Sequence, residues 1–480
     1  MRVSLASFLA IACGSLLAGC PDRTISEVNP LQGRVEYKEI PVNLNRNVDI
    51  LFVIDDSPSM LDKQTNVKTN FPKFIDVLNT IQGGLPDVHI GVVTSDIGTK
   101  GTQDPAPASP IGLVGMGGCS GTGKSGNLQT FGATGDLMAG SVFISDIKTS
   151  TGARQTNYTS GAQLSDVFAK LASAGAGGCG FEQHLEAMHR ALDNNPANAT
   201  FLRPDAFLAV IFLADEDDCS MSHSTLLGPE GPALGPLQSF RCNRFGHTCG
   251  VGGKSADQMN TVGVKDQCAP NDNSAYLEKV STFVDFMKNL KGPESRRVIV
   301  AGIMGDIEPY QVELRAPPQG GAPIPAVAHS CSYQGATGLE VADPPVRIKF
   351  FLDQFPNRST FTTICQRDLA GGLELIAQLL KAVIGDPCIE GKLADVDPNT
   401  AGLQYDCSVS DVSFAHTAKQ TEVILPECKG TGPYSPLPCW RIETNPVDCP
   451  GSDHFKLKVE RAEAPPPETT VFANCVTEAI

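Results

Sequence analysis

Asp49 to Met60 reads DILFVIDDSPSM, a run of apolar β-formers that stops on two carboxylates and two serine hydroxyls. Asp55, Ser57 and Ser59 stand at alternate positions, so one tight loop carries three oxygen side chains at a strand end. A second apolar run, AFLAVIFLA at 206–214, also ends in an acidic stretch that begins at Asp215. Hard divalent cations take oxygen ligands, near-octahedral for Mg²⁺. Two such clusters on different strands can supply opposite sides of one shell. The plainer alternative is that these residues only end strands and cap helices, for which Asp and Ser are ordinary choices. Nucleophilic chemistry is not signalled. Ser57 has no His placed by sequence as its base, and no G-x-S-x-G occurs. His184 and His189 are five apart, which is not the i, i+4 spacing of a zinc-binding HExxH helix.

A competing pattern lies at Gly118 to Ser125. GCSGTGKS fits G-x-x-x-x-G-K-[ST], in which backbone amides cradle phosphate and a lysine, here Lys124, reaches it. Its context is wrong. The preceding IGLVGMGG is a weak strand, and the following GNLQTFGATGDLMAG is punctuated by glycine where a helix must start. Cys119, inside the pattern, suits a disulfide better, and no nucleotide is expected.

The elements that position these residues follow an export signal. MRVSLASFLAIACGSLLAGC has one Arg, an apolar run too short to span a bilayer, then small residues before a Cys. Leu17-Ala18-Gly19-Cys20 resembles a bacterial lipobox, in which Cys20 becomes the lipidated first residue of the mature chain. Residue 21 is Pro, not Asp, so no inner-membrane retention signal is visible and the outer membrane is the expected anchor site, on either face. A lipid would tether the chain without spanning, and no later segment has about 18 unbroken apolar residues. With 37 basic against 53 acidic residues, net −16, the chain has no basic run for nucleic acid. Of the 16 Cys, Cys13 leaves with residues 1–19 and Cys20 takes lipid. Eight then lie between Cys119 and Cys365 and six between Cys388 and Cys475, which suggests up to four and three disulfides. No CxxC pair argues for zinc.

After a tether over 20–45, strands and helices alternate. Strands are expected at ILFVI, VHIGVVT (88–94), AFLAVIFLA and RVIVAGIM (297–304). Helical spacing runs from Met60 to Ile81, with Pro72 a kink or late start, and again around QLSDVFAKL, Phe181 to Leu192, Tyr276 to Leu290 and Leu369 to Val383. Insertions rich in Gly, Pro or Cys fall near 97–160, 219–272 and 306–362, the first with at most a hairpin around SVFISD. This order implies a doubly wound, mostly parallel sheet with helices on both faces, whose ligands sit at the carboxyl ends of the strands. Both acidic clusters fall there. Residues 386–480, with six Cys and the single Trp440, read as a small disulfide-rich β module.

Taken together, FVIDDSPSM and FLADEDD resemble the von Willebrand factor A family and its metal-ion-dependent adhesion site. The family's D-x-S-x-S is met by Asp55, Ser57 and Ser59, and its second acidic ligand by Asp215. The resemblance covers about 46–385 and implies one divalent cation (Mg²⁺, Ca²⁺ or Mn²⁺) with a remaining position for a carboxylate on a partner. The family's third loop supplies a Thr. The matching GGCGFEQHLEAM has none, and Glu182 is its best-placed oxygen, as a ligand or through water. A carboxylate there favours Ca²⁺ or Mn²⁺. Cys179 is expected to pair with Cys219 and clamp the two loops, while Asp96, Asp217 and Asp218 support the ligands from behind. The chain is therefore expected to be an envelope lipoprotein that binds a protein or other extracellular macromolecule, contacts the membrane through Cys20, and catalyses nothing. A metal-dependent hydrolase on the same carboxylates, or a structural envelope protein with a vestigial site, are the alternatives.

Overall fold

A computed structural model describes residues 33–478 except 42–45, 82–83, 150, 293–296, 318–319, 336–337, 386, 390–391, 396, 398, 400–403, 431, 447–448, 450–452, 464 and 467–468. The export signal and Cys20 lie outside the described residues. Two units are present, one from Asn43 to Asp386 and one formed by the segments on either side of it.

The first strand, β1 (Gly33–Pro41), belongs to the flanking unit. The larger unit is built on β2 (Asn47–Ile54), β3 (Asp87–Thr94), β4 (Ile144–Lys148), β5 (Arg154–Thr156) and β6 (Phe207–Leu213). A smaller sheet beside it contains β7 (His247–Val251), β8 (Gly263–Pro270), β10 (Tyr310–Arg315) and β11 (Ile324–Val327), while β9 (Val298–Met304) returns to the main sheet. A hairpin of β12 (Cys331–Gln334) and β13 (Leu339–Ala342) precedes β14 (Ser359–Thr363). The seven-stranded main sheet has the order β14-β9-β6-β2-β3-β4-β5. Its first five strands are parallel, and β4 and β5 add an antiparallel edge.

β2, β6 and β9 are apolar almost throughout because both faces of the sheet are covered. Side chains alternate across a strand. Ile50, Phe52 and Ile54 pack with α1 (Leu61–Asn79), α2 (Leu164–Leu171) and α8 (Ala370–Ile384). Leu51 and Val53 pack on the other face with α3 (His184–Leu192), α6 (Val280–Leu290) and α7 (Val346–Asp353). Phe52 meets Phe71, Phe74 and Phe168, which joins β2 to α1 and α2. α1 starts at Leu61 and continues through Pro72.

Two expectations change here. Residues 306–362, read as an insertion, contain α7 and the parallel edge strand β14, whose sequence STFTT is too polar to announce itself. The 219–272 segment, read as a Cys- and Gly-rich insertion, carries α4 (Phe240–Gly246), β7, α5 (Ala256–Met259) and β8, with both strands outside the main sheet. Residues 33–41, read as part of a tether over 20–45, form a strand. Residues 34–38 alternate in polarity, and β1 pairs along its length with β20 (Thr469–Glu478).

The flanking unit contains β1, β15 (Cys388–Ile389), β16 (Cys407–Ser413), β17 (Thr421–Leu425), β18 (Cys439–Thr444), β19 (Phe455–Glu460) and β20. They form antiparallel sheets of order β1-β20-β16-β17 and β15-β19-β18 around Val409, Leu425, Trp440, Leu457 and Val471. Cys388–Cys449, Cys407–Cys475 and Cys428–Cys439 staple it. The larger unit carries Cys119–Cys179, Cys219–Cys242, Cys249–Cys268 and Cys331–Cys365. The expected Cys179–Cys219 bridge is thus absent, because Cys179 pairs with Cys119 of the 97–160 insertion and Cys219 pairs with Cys242 within its own. Among the described residues no helix is long and apolar enough to cross a membrane.

Candidate functional site

β2 and β6 are neighbours and parallel, so their carboxyl ends deliver Asp55 and Asp215 to the same edge of the sheet. The Asp55 amide donates to Leu213 O at 2.9 Å, which continues the ladder one step beyond β2. The chain then turns. Asp55 Oδ1 accepts the Ser57 amide at 2.8 Å, and the hydroxyls of Ser57 and Ser59 come within 3.1 Å of each other. Asp55 and Asp215 are buried, while Pro58 and Ser59 are exposed, so the cluster approaches solvent on the serine side. Gln64 of α1 fixes the loop by donating to Asp55 O at 2.9 Å and Gly175 O at 2.8 Å.

The third loop, 175–183, closes over this turn. The Gly178 amide donates to Asp56 O at 2.7 Å. A Cβ at Gly178 would sit 2.2 Å from Asp56 Oδ1, so only glycine allows that approach. Glu182 follows, buried, with its carbonyl accepting the Cys219 amide at 2.6 Å. Burial first, and then the charges of Glu216, Asp55 and Asp215, push the Glu182 carboxyl well above its ordinary range. Glu216 is raised as well, by burial and then by the charges of Asp343, Asp215 and Asp55. Four of the five expected ligands, Asp55, Ser57, Ser59 and Asp215, are linked by these contacts or by Lys63, and Glu182 shares their field.

Three basic side chains face the carboxylates. Lys63 Nζ lies 2.8 Å from Asp215 Oδ2 and 3.1 Å from Ser59 O, with both side chains of the ion pair 2% exposed. Lys124 Nζ bonds to Asp56 Oδ2 and stands 3.7 Å from Asp96 Oδ2. His184 Nε2 lies 3.7 Å from Asp55 Oδ2, an electrostatic contact beyond hydrogen-bond range. Burial pushes Asp215 up to about 6, assisted by Asp55 and opposed by Lys63. Burial also pushes Asp55 up, but His184 and the Ser57 amide outweigh it and hold the group below its usual value. Several buried polar atoms have no hydrogen-bond partner: Asp55 Oδ2, Asp215 Oδ1, Asp56 Oδ1 and both ring nitrogens of His184.

The remaining acidic residues have other roles. Asp217 accepts from the Arg347 and Ile348 amides at the start of α7 (2.8 and 3.2 Å) and from His247 Nε2 at 2.8 Å. Asp218 accepts from the Leu185 amide at 2.9 Å and from Arg347 Nε at 3.1 Å. They fix the helices behind the strand ends. Asp96 accepts the Gly98 amide at 3.0 Å.

Sequence reasoning missed Lys63, Glu216, Asp56 and His184. Lys63 was readable in part, since it falls four residues after Ser59 at the opening of a helix. Nothing local marks His184, whose burial depends on α3 docking under β2. Lys124, from the phosphate-loop pattern, is bound to Asp56. Residues 121–126 are turns with Gly121, Gly123 and Ser125 at φ 56°, 52° and 54°. Among the described residues, no three His, Cys, Asp or Glu side chains stand as a ready ligand group. The converging set mixes two carboxylates with serine hydroxyls.

No protein-family model matches the chain, and no curated protein matches it. Among solved structures it is similar to the pilus adhesin RrgA from Streptococcus pneumoniae, at TM-score 0.28 and 10% identity over 95% of this chain and 60% of that one. The chain thus spans less than two thirds of that adhesin, and a likeness of this degree carries no argument.

Proposed function

We propose that this chain is a lipid-anchored protein of the bacterial cell envelope whose larger unit is a von Willebrand factor A-like domain. Its strand-end loops bind one divalent cation, and through that ion and the insertions around it the domain holds another protein or extracellular macromolecule. The supporting observation is the pair of buried oxygens without partners, Asp55 Oδ2 and Asp215 Oδ1, beside two serine hydroxyls at the ends of adjacent parallel strands. Buried acceptors in native proteins are almost always satisfied, so such a pair marks a place for a cation or another donor.

The donor set fits a hard ion. Asp55, Ser57, Ser59 and Asp215 would hold it, with Glu182 contributing directly or through water. Oxygen-only ligation with added carboxylate suits Ca²⁺ or Mn²⁺ at least as well as Mg²⁺. The bound ion would supply the positive charge that attracts an acidic group of the partner. The insertions supply shape: the loop of Leu113, Val114 and Met116 is highly exposed and is fastened to the third loop by Cys119–Cys179. Loops on a rigid scaffold commonly carry recognition, and seven disulfides suit an oxidising compartment outside the cytosol. No reaction is assigned to the site.

The test is calorimetric titration of the soluble fragment that begins at Pro21 with Mg²⁺, Ca²⁺ and Mn²⁺, with Asp55→Ala alongside. Saturable binding that disappears in the variant is the expected result. Absence of binding to all three ions in the native chain removes the cation from the proposal.

A further inference from the structure

We propose that the Lys63 ammonium is the group a divalent ion must displace, so that Lys63 sets the cation affinity of the strand-end site. This rests on the cation reading above. Lys63 lies in the first turn of α1, and its side chain is 2% exposed. Its Nζ donates to Asp215 Oδ2 at 2.8 Å and to Ser59 O at 3.1 Å. Both acceptors belong to the residues that would hold the ion. Lys63 is therefore placed as an internal cation within the same shell.

An ammonium and a divalent ion repel each other strongly at ligand distances in a buried site. They would also share one carboxylate: Lys63 holds Asp215 Oδ2, and Asp215 Oδ1, which has no partner, is the oxygen left for the ion, so the two charges would stand on one group. A second residue points independently at the same place. His184 is fully buried, neither of its ring nitrogens has a hydrogen-bond partner, and Nε2 lies 3.7 Å from Asp55 Oδ2. The protein groups alone therefore leave the cluster incompletely satisfied on the Asp55 side and balanced by Lys63 on the Asp215 side. When a divalent ion binds, Lys63 leaves Asp215 and its ammonium moves toward the exposed Ser59 side. The lysine lowers affinity and makes occupancy depend on rearrangement of the first turn of α1.

The experiment compares Mn²⁺ binding by calorimetry in the native soluble fragment from Pro21 and in its Lys63→Met variant, which keeps an unbranched stem but removes the charge. The expected result is affinity tightened at least about tenfold in the variant, the direction set by removing one positive charge from the shell. Native binding that is not tightened in Lys63→Met overturns the inference and leaves the cation reading standing. Binding by neither protein overturns the inference, and the three-ion titration above then decides the cation reading. Binding by the variant alone supports Lys63 as the occupant of the native site, and the three-ion titration above decides whether any cation displaces it. A second measurement needs no variant: amine labelling of the native chain followed by mass spectrometry, with and without Mn²⁺. Lys63 labelling should rise with Mn²⁺ while exposed Lys73 stays constant. Unchanged Lys63 labelling in Mn²⁺-saturated protein overturns the inference.

Discussion

Asp218→Ala tests whether the acidic residues behind the strand ends hold the scaffold together. Asp218 is 1% exposed and Arg347 is 0% exposed. The carboxylate accepts from the Leu185 amide at 2.9 Å, the Ser220 hydroxyl at 2.7 Å and Arg347 Nε at 3.1 Å. Removing it deprives the first turn of α3 of an acceptor and leaves the Arg347 guanidinium buried without its counter-charge. Hydrogen bonds to charged groups contribute about 1.5–3 kcal/mol each. Breaking a buried ion pair from one side costs about 3–5 kcal/mol. These costs share the same atoms and do not add, so the expected loss is about 3–5 kcal/mol. Equilibrium urea unfolding with disulfides intact, followed by circular dichroism, measures it. Asp218→Leu combined with Arg347→Met removes both charges and should recover much of the loss, since a buried pair replaced by apolar residues is often near neutral. A single-variant loss under about 1 kcal/mol, or a double variant no more stable than the single, refutes the reasoning.

Two further outcomes follow from the scaffold. Burial holds His89 down at about 4 despite its hydrogen bond to Phe201 O at 2.8 Å. The unfolded chain takes up this proton as pH falls below about 6.5 while the folded chain does not, so stability is lost between that pH and about 4, by roughly 3 kcal/mol in full. The stability difference between the native chain and His89→Gln, measured by denaturation at neutral pH and near pH 4.5, should shift by most of that amount, and a constant difference contradicts it. Replacing both Cys119 and Cys179 by Ala opens a link that spans 60 residues. Loop-closure entropy sets the loss at up to about 4 kcal/mol, read from the unfolding midpoint. An unchanged midpoint would show that the bridge does not constrain the unfolded chain.

The sequence by itself determined the repeating strands of the sheet, because the runs that became β2, β6 and β9 are apolar on both faces and have no other stable place. It also determined that Asp55 and Asp215 end such strands, and that the cysteines divide into one set of eight and another of six. Strand β14 escaped notice because STFTT sits at a sheet edge, where half-exposed residues do not need apolar side chains. The cysteine pairing was decided by tertiary structure alone: composition counts thiols, but whether Cys179 meets Cys119 or Cys219 depends on how the insertions fold over the strand ends. The same holds for the charges. Lys63 stands in a polar stretch that reads as an exposed helix start, and only the docking of α1 against the neighbouring strand end brings its ammonium to Asp215. Local sequence specifies which groups a loop carries, whereas the distance between groups 152 residues apart is set by the packing of the elements that bear them.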